Sequence, residues 1–179
     1  MIKRAQRRPL VNLKTPGTKG YSLISIYVDA DGCPVKSEIF RVALRYSLKV
    51  YVVSNSMMRI PAERLFELVI VKEDADAADD WIVQHIKEDD IAVSADILFA
   101  ARCLEKGARV LDPKGRVFTE ESIGGALANR ELSAYLRDLG NITGGPAPFE
   151  KRDRSRFLQQ LDNLIQAAFR AKRQRTHDV

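Results

Sequence analysis

The chain has few of the residues on which several common kinds of site depend. Its 179 residues include only two cysteines, Cys33 and Cys103, and two histidines, His85 and His177. Such small numbers argue against a disulfide framework and against a closed zinc site made of Cys and His ligands. They also leave no evident His partner for a Ser or Cys nucleophile. We therefore expect a reduced, cytoplasmic protein.

Long apolar segments are missing as well. No apolar stretch approaches the length of a membrane span, and the basic N-terminus is not followed by the apolar segment of a signal peptide. We expect a soluble protein that is neither exported nor bound to a membrane. Its length suits one domain with a sizeable core.

Positive charge is concentrated at the N-terminus. Residues 1–22 contain six basic and no acidic side chains, whereas the rest of the chain has 23 basic and 24 acidic ones and a net charge of −1. Proline and glycine in the first 22 residues are typical of a poorly ordered segment, and such a segment could bind a nucleic acid without sequence preference. We predict a basic, disordered tail at 1–22, one domain at 23–171 and a basic C-terminal tail at 172–179.

Between the tails, apolar strand-like runs alternate with segments of helical periodicity. Strands are predicted at 22–30, 49–55, 65–71, 90–96 and 108–112, and helices at about 35–46, 74–87, 97–107, 119–139 and 153–171. Such an alternation favours the α/β class, with a mainly parallel sheet that carries helices on both faces.

Acidic residues follow three of the predicted strands. Asp29 and Asp31 come after the first strand, Asp96 ends the fourth and Asp112 the fifth. The carboxyl ends of parallel strands form the edge of a sheet where ligands bind. Each Asp could instead cap the helix that follows it, so a ligand site and a set of helix caps are both open.

The predicted acidic helix at 74–87 distinguishes better between a ligand site and a set of helix caps. Asp79 falls on the same helical face as the apolar Ala78, Ile82 and Ile86, with Asp76 at the margin of that face. A carboxylate facing a core needs a basic partner or a metal ion. A salt bridge from Asp79 to Arg59 or Arg102 is the structural alternative.

The type of these side chains indicates which metal they would bind. Carboxylates without His or Cys suit hard cations, so Mg²⁺ or Mn²⁺ is expected and Zn²⁺ is not. Such an ion polarises a phosphodiester and activates a water molecule. The candidate metal ligands are Asp29, Asp31, Asp76, Asp79 and Asp96, and the implied chemistry is hydrolysis of phosphate esters.

Seven motifs, in order along the chain, resemble those of one protein family. They are "VDADGCPV", "VVSNSMMRIP", "DAADDWIV", "VSADILFA", "GARVLDPKGRVFT", "LANRELSAYLR" and "GGPAPFEKRDRSRF". The chain is similar to the YaiI/YqxD family of uncharacterised bacterial proteins, which is grouped with the PIN-like nuclease domains. The resemblance covers about residues 26–161 and leaves out the first 22.

This resemblance implies a PIN-like three-layer α/β/α sandwich and a Mg²⁺- or Mn²⁺-dependent nuclease. The acids that such nucleases carry after the first strand, on a central helix and after a later strand correspond to Asp29, Asp79 and Asp96, which would be catalytic. Asp31 and Asp76 would assist them. Single-stranded RNA is the substrate that the family grouping favours.

Polar and basic residues within the same motifs are candidates for binding a phosphate backbone, because guanidinium groups match phosphate geometry. Each of them could also be an ordinary surface residue. The candidates are Asn55, Arg59, Lys114, Arg116, Arg130, Arg152 and Arg154.

Two other functions fit parts of the sequence. "YVDADGCP" resembles the first motif of the haloacid-dehalogenase-like phosphatases, and "YVVSNS" resembles their second. In that case Asp29 would form an aspartyl phosphate and Asp31 would be the general acid and base, but Cys33 stands where those enzymes have Thr. A PIN-like module that binds nucleic acid without catalysis is the second alternative.

Overall fold

A computed structural model describes residues 24–74, 76–138 and 147–177, with the side chains of 131–138 and 176–177 excepted. Six strands and five helices lie in these ranges. The strands are β1 (Ser25–Asp29), β2 (Lys49–Ser54), β3 (Phe66–Ile70), β4 (Ile91–Val93), β5 (Arg109–Leu111) and β6 (Val117–Phe118). The helices are α1 (Lys36–Tyr46), α2 (Ala77–His85), α3 (Ile97–Glu105), α4 (Glu120–Asp138) and α5 (Lys151–His177).

The strands form one sheet in the order β3-β2-β1-β4-β5-β6. The first five pair in parallel, and β6 runs antiparallel to β5. β1 therefore lies inside the sheet, with β2 on one side and β4 on the other. The predicted α/β class and mainly parallel sheet are confirmed.

Helices cover both faces of the sheet, which confirms the three-layer arrangement. On one face, α1 and α5 pack on Ile26 and Val28 of β1. On the other, α2 and α3 pack on Tyr27 of the same strand, and α4 packs on α3. Because successive strand residues point to opposite faces, Asp29 shares the face of Tyr27 and points toward α2 and α3.

Two differences from the predicted elements are larger than a shift of a few residues at one end. The short antiparallel β6 was not predicted. The last helix continues to His177, so most of the segment predicted as a basic tail at 172–179 is helical. Its last turn is held by ion pairs from Arg175 to Glu88 and Asp89.

The predicted tail at 1–22 lies outside the described residues and stays a prediction. No helix in the described ranges has the length and apolar character needed to cross a membrane.

Candidate functional site

The order in which successive strands are added to the sheet reverses beside β1. From β1 the chain continues to β2 and β3 on one side, and it then returns to β4 and β5 on the other. In open α/β sheets, ligands bind in the crevice that such a reversal creates at the carboxyl ends of the strands. A pocket of about 350 Å³ lies at this place and is lined by Asp29, Asp31, Gly32, Cys33, Ser94, Ala95, Asp96 and Pro113.

Asp29 ends β1 at this pocket and is half-buried. Its Oδ1 accepts a hydrogen bond from the backbone N–H of Asp31 (3.3 Å), and its Oδ2 accepts one from the Ser94 hydroxyl (3.1 Å). Burial raises the pKa of Asp29 despite these two hydrogen bonds, and the charges of Asp31 and Asp96 raise it further. No basic side chain among the described residues forms an ion pair with it.

Asp79 lies on α2 and is not among the residues that line the pocket, but its charge interacts with those of Asp29 and Asp96. It lies one helical turn before the fully buried Ile82 and is itself only partly exposed. Burial and the charges of Asp29, Asp96 and Asp76 together raise the pKa of Asp79 to about 6, and Arg102 only partly opposes them.

The basic partner that the sequence allowed for Asp79 is used elsewhere. The Arg102 guanidinium donates to Asp80 at 2.6 Å, and Arg59 is exposed in the loop after β2. Asp79 has neither an ion pair nor a hydrogen bond within the described part of the chain, so its charge is not neutralised.

Asp96 has the cap role that the sequence left open. Its Oδ1 accepts the backbone N–H groups of Leu98 (2.7 Å) and Phe99 (3.2 Å) at the start of α3. The same Oδ1 lies 3.3 Å from Nη1 of Arg130 on α4. Since Oδ2 has no donor among the described residues, Asp96 can cap α3 and still offer an oxygen to a ligand.

The two remaining predicted metal ligands are less confined. Asp31 is exposed and accepts a long hydrogen bond from the Ser54 hydroxyl at 3.4 Å. Asp76 is exposed just before α2, and its side chain does not cap that helix. Asp31 lines the pocket, and the charge of Asp76 acts on Asp79. We call the group of Asp29, Asp79 and Asp96 the acidic crevice.

The acidic crevice fits a hard divalent cation in charge and in donor type. In the described ranges, however, no group of three or more Asp, Glu, His or Cys side chains is close enough together to hold a metal ion. Mg²⁺ is commonly bound by one or two carboxylates together with substrate phosphates and water, and does not need a cage made only of protein. Asp29, Asp79 and Asp96 therefore fit an ion that arrives with a phosphate better than one held permanently.

Of the predicted phosphate-binding residues, Arg130 alone contacts the acidic crevice in the described part of the chain, through Asp96. Asn55 and Arg59 are exposed in the loop that follows β2, at the same edge of the sheet. Lys114 and Arg116 lie in the turn between β5 and β6, where the Lys114 ammonium group donates to the carbonyl of Ala147. Arg116 is exposed and lies over the ring of Phe118.

The two arginines at the start of α5 are in intramolecular ion pairs. Arg152 pairs with Glu150 at 2.9 Å and stays 73% exposed. Arg154 donates at 2.6 Å to Glu38, whose side chain is only 4% exposed. Arg154 therefore joins α5 to α1, which the sequence did not predict.

Sequence reasoning missed the residue that connects two of the acids. Ser94 donates its hydroxyl proton to Asp29, and its Oγ accepts the backbone N–H of Asp96 at 3.1 Å. The position of Ser94 directly after the buried strand β4 was the available signal. At the end of β2, Ser54 is fully buried and donates to Asp31, whereas Asn55 is exposed.

Cys33 also lines the pocket but has no features of a nucleophile. It is buried, and burial raises the pKa of its thiol. The nearby Lys36 ammonium group donates to the carbonyl of Ala30 at 2.9 Å.

Comparison with known proteins identifies the relatives of this chain. A model of the family described as "Uncharacterized BCR, YaiI/YqxD family" matches residues 27–167. A UPF0178 protein of Rhodospirillum centenum is 52% identical over 154 residues, which are 84% of this chain and 100% of the relative. A UPF0178 protein of Bradyrhizobium sp. is 50% identical over 152 residues, 85% of this chain and 91% of the relative.

No solved structure matches the chain significantly. The family match extends from β1 into α5 and so includes Asp29, Asp79, Asp96 and Arg130. On these grounds the chain belongs to the uncharacterised YaiI/YqxD family.

Proposed function

We propose that this protein is a Mg²⁺- or Mn²⁺-dependent nuclease that hydrolyses phosphodiesters, with RNA as the favoured substrate. The observation that carries the proposal is the acidic crevice beside β1, where the strand order reverses. Asp29 and Asp79 have no ion pair among the described residues, and mutual repulsion contributes to the pKa of about 6 at Asp79. Uncompensated carboxylates cost stability, and such a cost is typical of a site that binds a ligand.

The three carboxylates differ in how firmly the protein holds them. A bound Mg²⁺ or Mn²⁺ would polarise the phosphodiester and lower the pKa of a water molecule. Asp29, held by the Asp31 N–H and the Ser94 hydroxyl, and Asp96, held as the cap of α3, are oriented before any ligand arrives. Asp79 is the least constrained of the three, and with a pKa of about 6 it is mostly ionised at neutral pH.

The preference for RNA rests on the family resemblance and on the basic groups at the carboxyl edge of the sheet. Arg59 and Arg116 are exposed there. The six basic residues in 1–22 would add affinity for a phosphate backbone without sequence preference.

The test compares two neighbouring carboxylates of α2. Asp79→Asn removes a charge from the acidic crevice, whereas Asp80→Asn removes the same charge from the exposed pair with Arg102. We expect Asp79→Asn to lower Mn²⁺-dependent cleavage of labelled single-stranded RNA at least 100-fold, because the cation loses an oxygen ligand. Asp80→Asn is expected to cleave within about threefold of the wild type.

Wild-type protein that leaves RNA intact with Mn²⁺ and with Mg²⁺ would contradict the nuclease proposal. An equal loss of cleavage in Asp79→Asn and Asp80→Asn would contradict a specific role for Asp79 in the reaction. Circular dichroism and thermal unfolding of each variant provide the control for folding.

One contact favours the phosphatase alternative enough to test it. The Ser54 hydroxyl, from the second phosphatase-like motif, donates to Asp31, from the first. If Asp31 is a general acid and base, Asp31→Asn should abolish hydrolysis of p-nitrophenyl phosphate. In the nuclease proposal Asp31 only assists Asp29, Asp79 and Asp96, so the same variant should keep most of its RNA cleavage.

The non-catalytic alternative has its own signature. A nucleic-acid-binding module would bind the labelled RNA with the salt dependence of phosphate contacts, and neither Mn²⁺ nor Asp79→Asn would change the length of the RNA.

A further inference from the structure

Arg130 contacts the acidic crevice through a weak ion pair. Its Nη1 lies 3.3 Å from Asp96 Oδ1, and the side chains of Arg130 and Asp96 are 43% and 40% exposed. Exposed ion pairs of this kind contribute little free energy, because water screens both charges. The pair can therefore open at low cost.

Asp96 does not depend on Arg130 for its hydrogen bonds, and most donors of Arg130 are unused in the described part of the chain. Asp96 Oδ1 already accepts two backbone N–H groups of α3, so the cap remains when Arg130 leaves. Arg130 uses one nitrogen for Asp96, while a guanidinium offers five N–H donors in a planar fork. The unused donors suit two oxygens of one phosphate.

Two other arginines form ion pairs with carboxylates outside the crevice. Arg102 donates to Asp80 at 2.6 Å on the outer side of α2. Arg154 pairs with the buried Glu38. Among the described residues, Arg130 is thus the basic side chain that is ion-paired with one of the three crevice carboxylates.

The same Asp96 is a candidate ligand for the cation, and a positive guanidinium beside it opposes binding of that cation. A phosphate near the crevice would attract Arg130 and at the same time supply oxygens to the cation. These two effects favour simultaneous binding of cation and phosphate.

We propose that Arg130 is a phosphate-binding residue that exchanges Asp96 for a backbone phosphate of RNA, so that phosphate and divalent cation bind cooperatively. The proposal rests on the proposed function, since it assumes that the crevice binds both. By thermodynamic linkage, RNA must raise the affinity for the cation by the same factor by which the cation raises the affinity for RNA.

The experiment measures this coupling in the full chain without relying on catalysis. Mn²⁺ is titrated by calorimetry into the wild type with and without a short phosphorothioate-linked oligouridylate, and binding of the fluorescent oligonucleotide is measured with EDTA and with Mn²⁺. We expect the oligonucleotide to tighten Mn²⁺ binding by about tenfold or more, as is usual for coupled sites.

We expect Arg130→Gln to affect the binding of Mn²⁺ and of the oligonucleotide differently. The variant should bind Mn²⁺ alone at least as tightly as the wild type, because a competing positive charge is gone. It should bind the oligonucleotide in EDTA about tenfold more weakly, the loss expected for one charge-assisted contact, and its coupling factor should approach one. Arg130→Lys should restore part of the coupling, because Lys keeps the charge but not the fork.

Arg102→Gln is the matched control, since it removes the same charge from a neighbouring ion pair of similar exposure. It should keep the coupling of the wild type. Equal coupling in Arg130→Gln and Arg102→Gln, or no coupling in the wild type, would overturn the proposal.

The outcomes separate this proposal from the nuclease proposal. Coupling that depends on Arg130 without any RNA cleavage would support the phosphate role and contradict the nuclease. Cleavage that depends on Asp79 with coupling indifferent to Arg130 would contradict the phosphate role alone.

Discussion

Carboxylates at the two ends of the sheet differ in their hydrogen-bond and ion-pair partners. At the amino end, Asp90 accepts the backbone N–H groups of Ser25 (2.8 Å) and Lys87 (3.0 Å), which ties β1 and the end of α2 to the start of β4. Its neighbour Asp89 is ion-paired with Arg109 at 2.8 Å. At the carboxyl end, by contrast, Asp79 has no such partner among the described residues.

We interpret this difference as a structural use of carboxylates at the amino end and, under the proposed function, a ligand-binding use at the carboxyl end. The amino end matches each buried acid with donors, so these acids hold the strands in place. In the acidic crevice, by contrast, the carboxylate of Asp79 is repelled by those of Asp29, Asp96 and Asp76, which costs stability in the free protein. In the proposed function, a bound cation would offset this repulsion.

The largest effect on stability is expected at the amino end. Asp90→Ala leaves the N–H groups of Ser25 and Lys87 without their acceptor, and we expect the free energy of unfolding to fall by about 3 kcal/mol. Urea denaturation measures this change. Asp74→Ala, at an exposed acid just before α2, is the control, and a loss at Asp90 no larger than at Asp74 would remove the contrast between the two ends.

A smaller effect of opposite sign is expected at the carboxyl end. The pKa of Asp79 is raised from 3.8 to about 6, so the folded state binds the proton more tightly than the unfolded state. The resulting stabilisation is complete below about pH 4 and is lost as the pH rises through 6. The full shift corresponds to about 3 kcal/mol, which screening at this partly exposed site reduces to about 1 kcal/mol.

Asp79→Asn should therefore stabilise the metal-free protein at pH 7 by about 1 kcal/mol. The gain should disappear near pH 4, where the wild-type carboxylate is protonated as well. Thermal unfolding in EDTA at several pH values checks this result, and a variant less stable than the wild type at pH 7 would show that Asp79 has a structural partner.

The smallest effect is expected one residue further along α2. The Asp80 and Arg102 side chains are 54% and 42% exposed, and pairs of this kind contribute little. Asp80→Asn should change the free energy of unfolding by no more than about 0.5 kcal/mol at any pH. A larger change would mean that the exposed face of α2 matters for stability as much as the crevice does.

The sheet was predictable from local patterns, since five apolar runs separated by helical periodicity indicate a parallel sheet. The strand β6 was not, because two residues carry no periodicity and the pairing of Val117–Phe118 with β5 depends on the turn at Asp112. Asp112 organises that turn by accepting the N–H groups of Lys114 and Arg116.

The placement of the candidate site residues was predictable where it depends on a residue's own element. Asp29 follows from its position at the end of β1, and Asp79 follows from its helical spacing to Ile82 and Ile86. Contacts with residues that are distant along the chain could not be predicted from the sequence. Arg154, a predicted substrate-binding residue, pairs with Glu38, which is 116 positions away, and the sequence did not indicate this contact.

The most direct test of the acidic crevice locates the ion itself. A crystal of the wild type grown with Mn²⁺ and a short phosphorothioate-linked oligouridylate would give an anomalous scattering peak at the manganese position. We predict a peak within coordination distance, roughly 2.1 Å, of a carboxylate oxygen of Asp29, with Asp79 and Asp96 around it and a phosphate on its open side. A fully occupied peak elsewhere on the chain, or bound oligonucleotide with no peak in the crevice, would contradict the account.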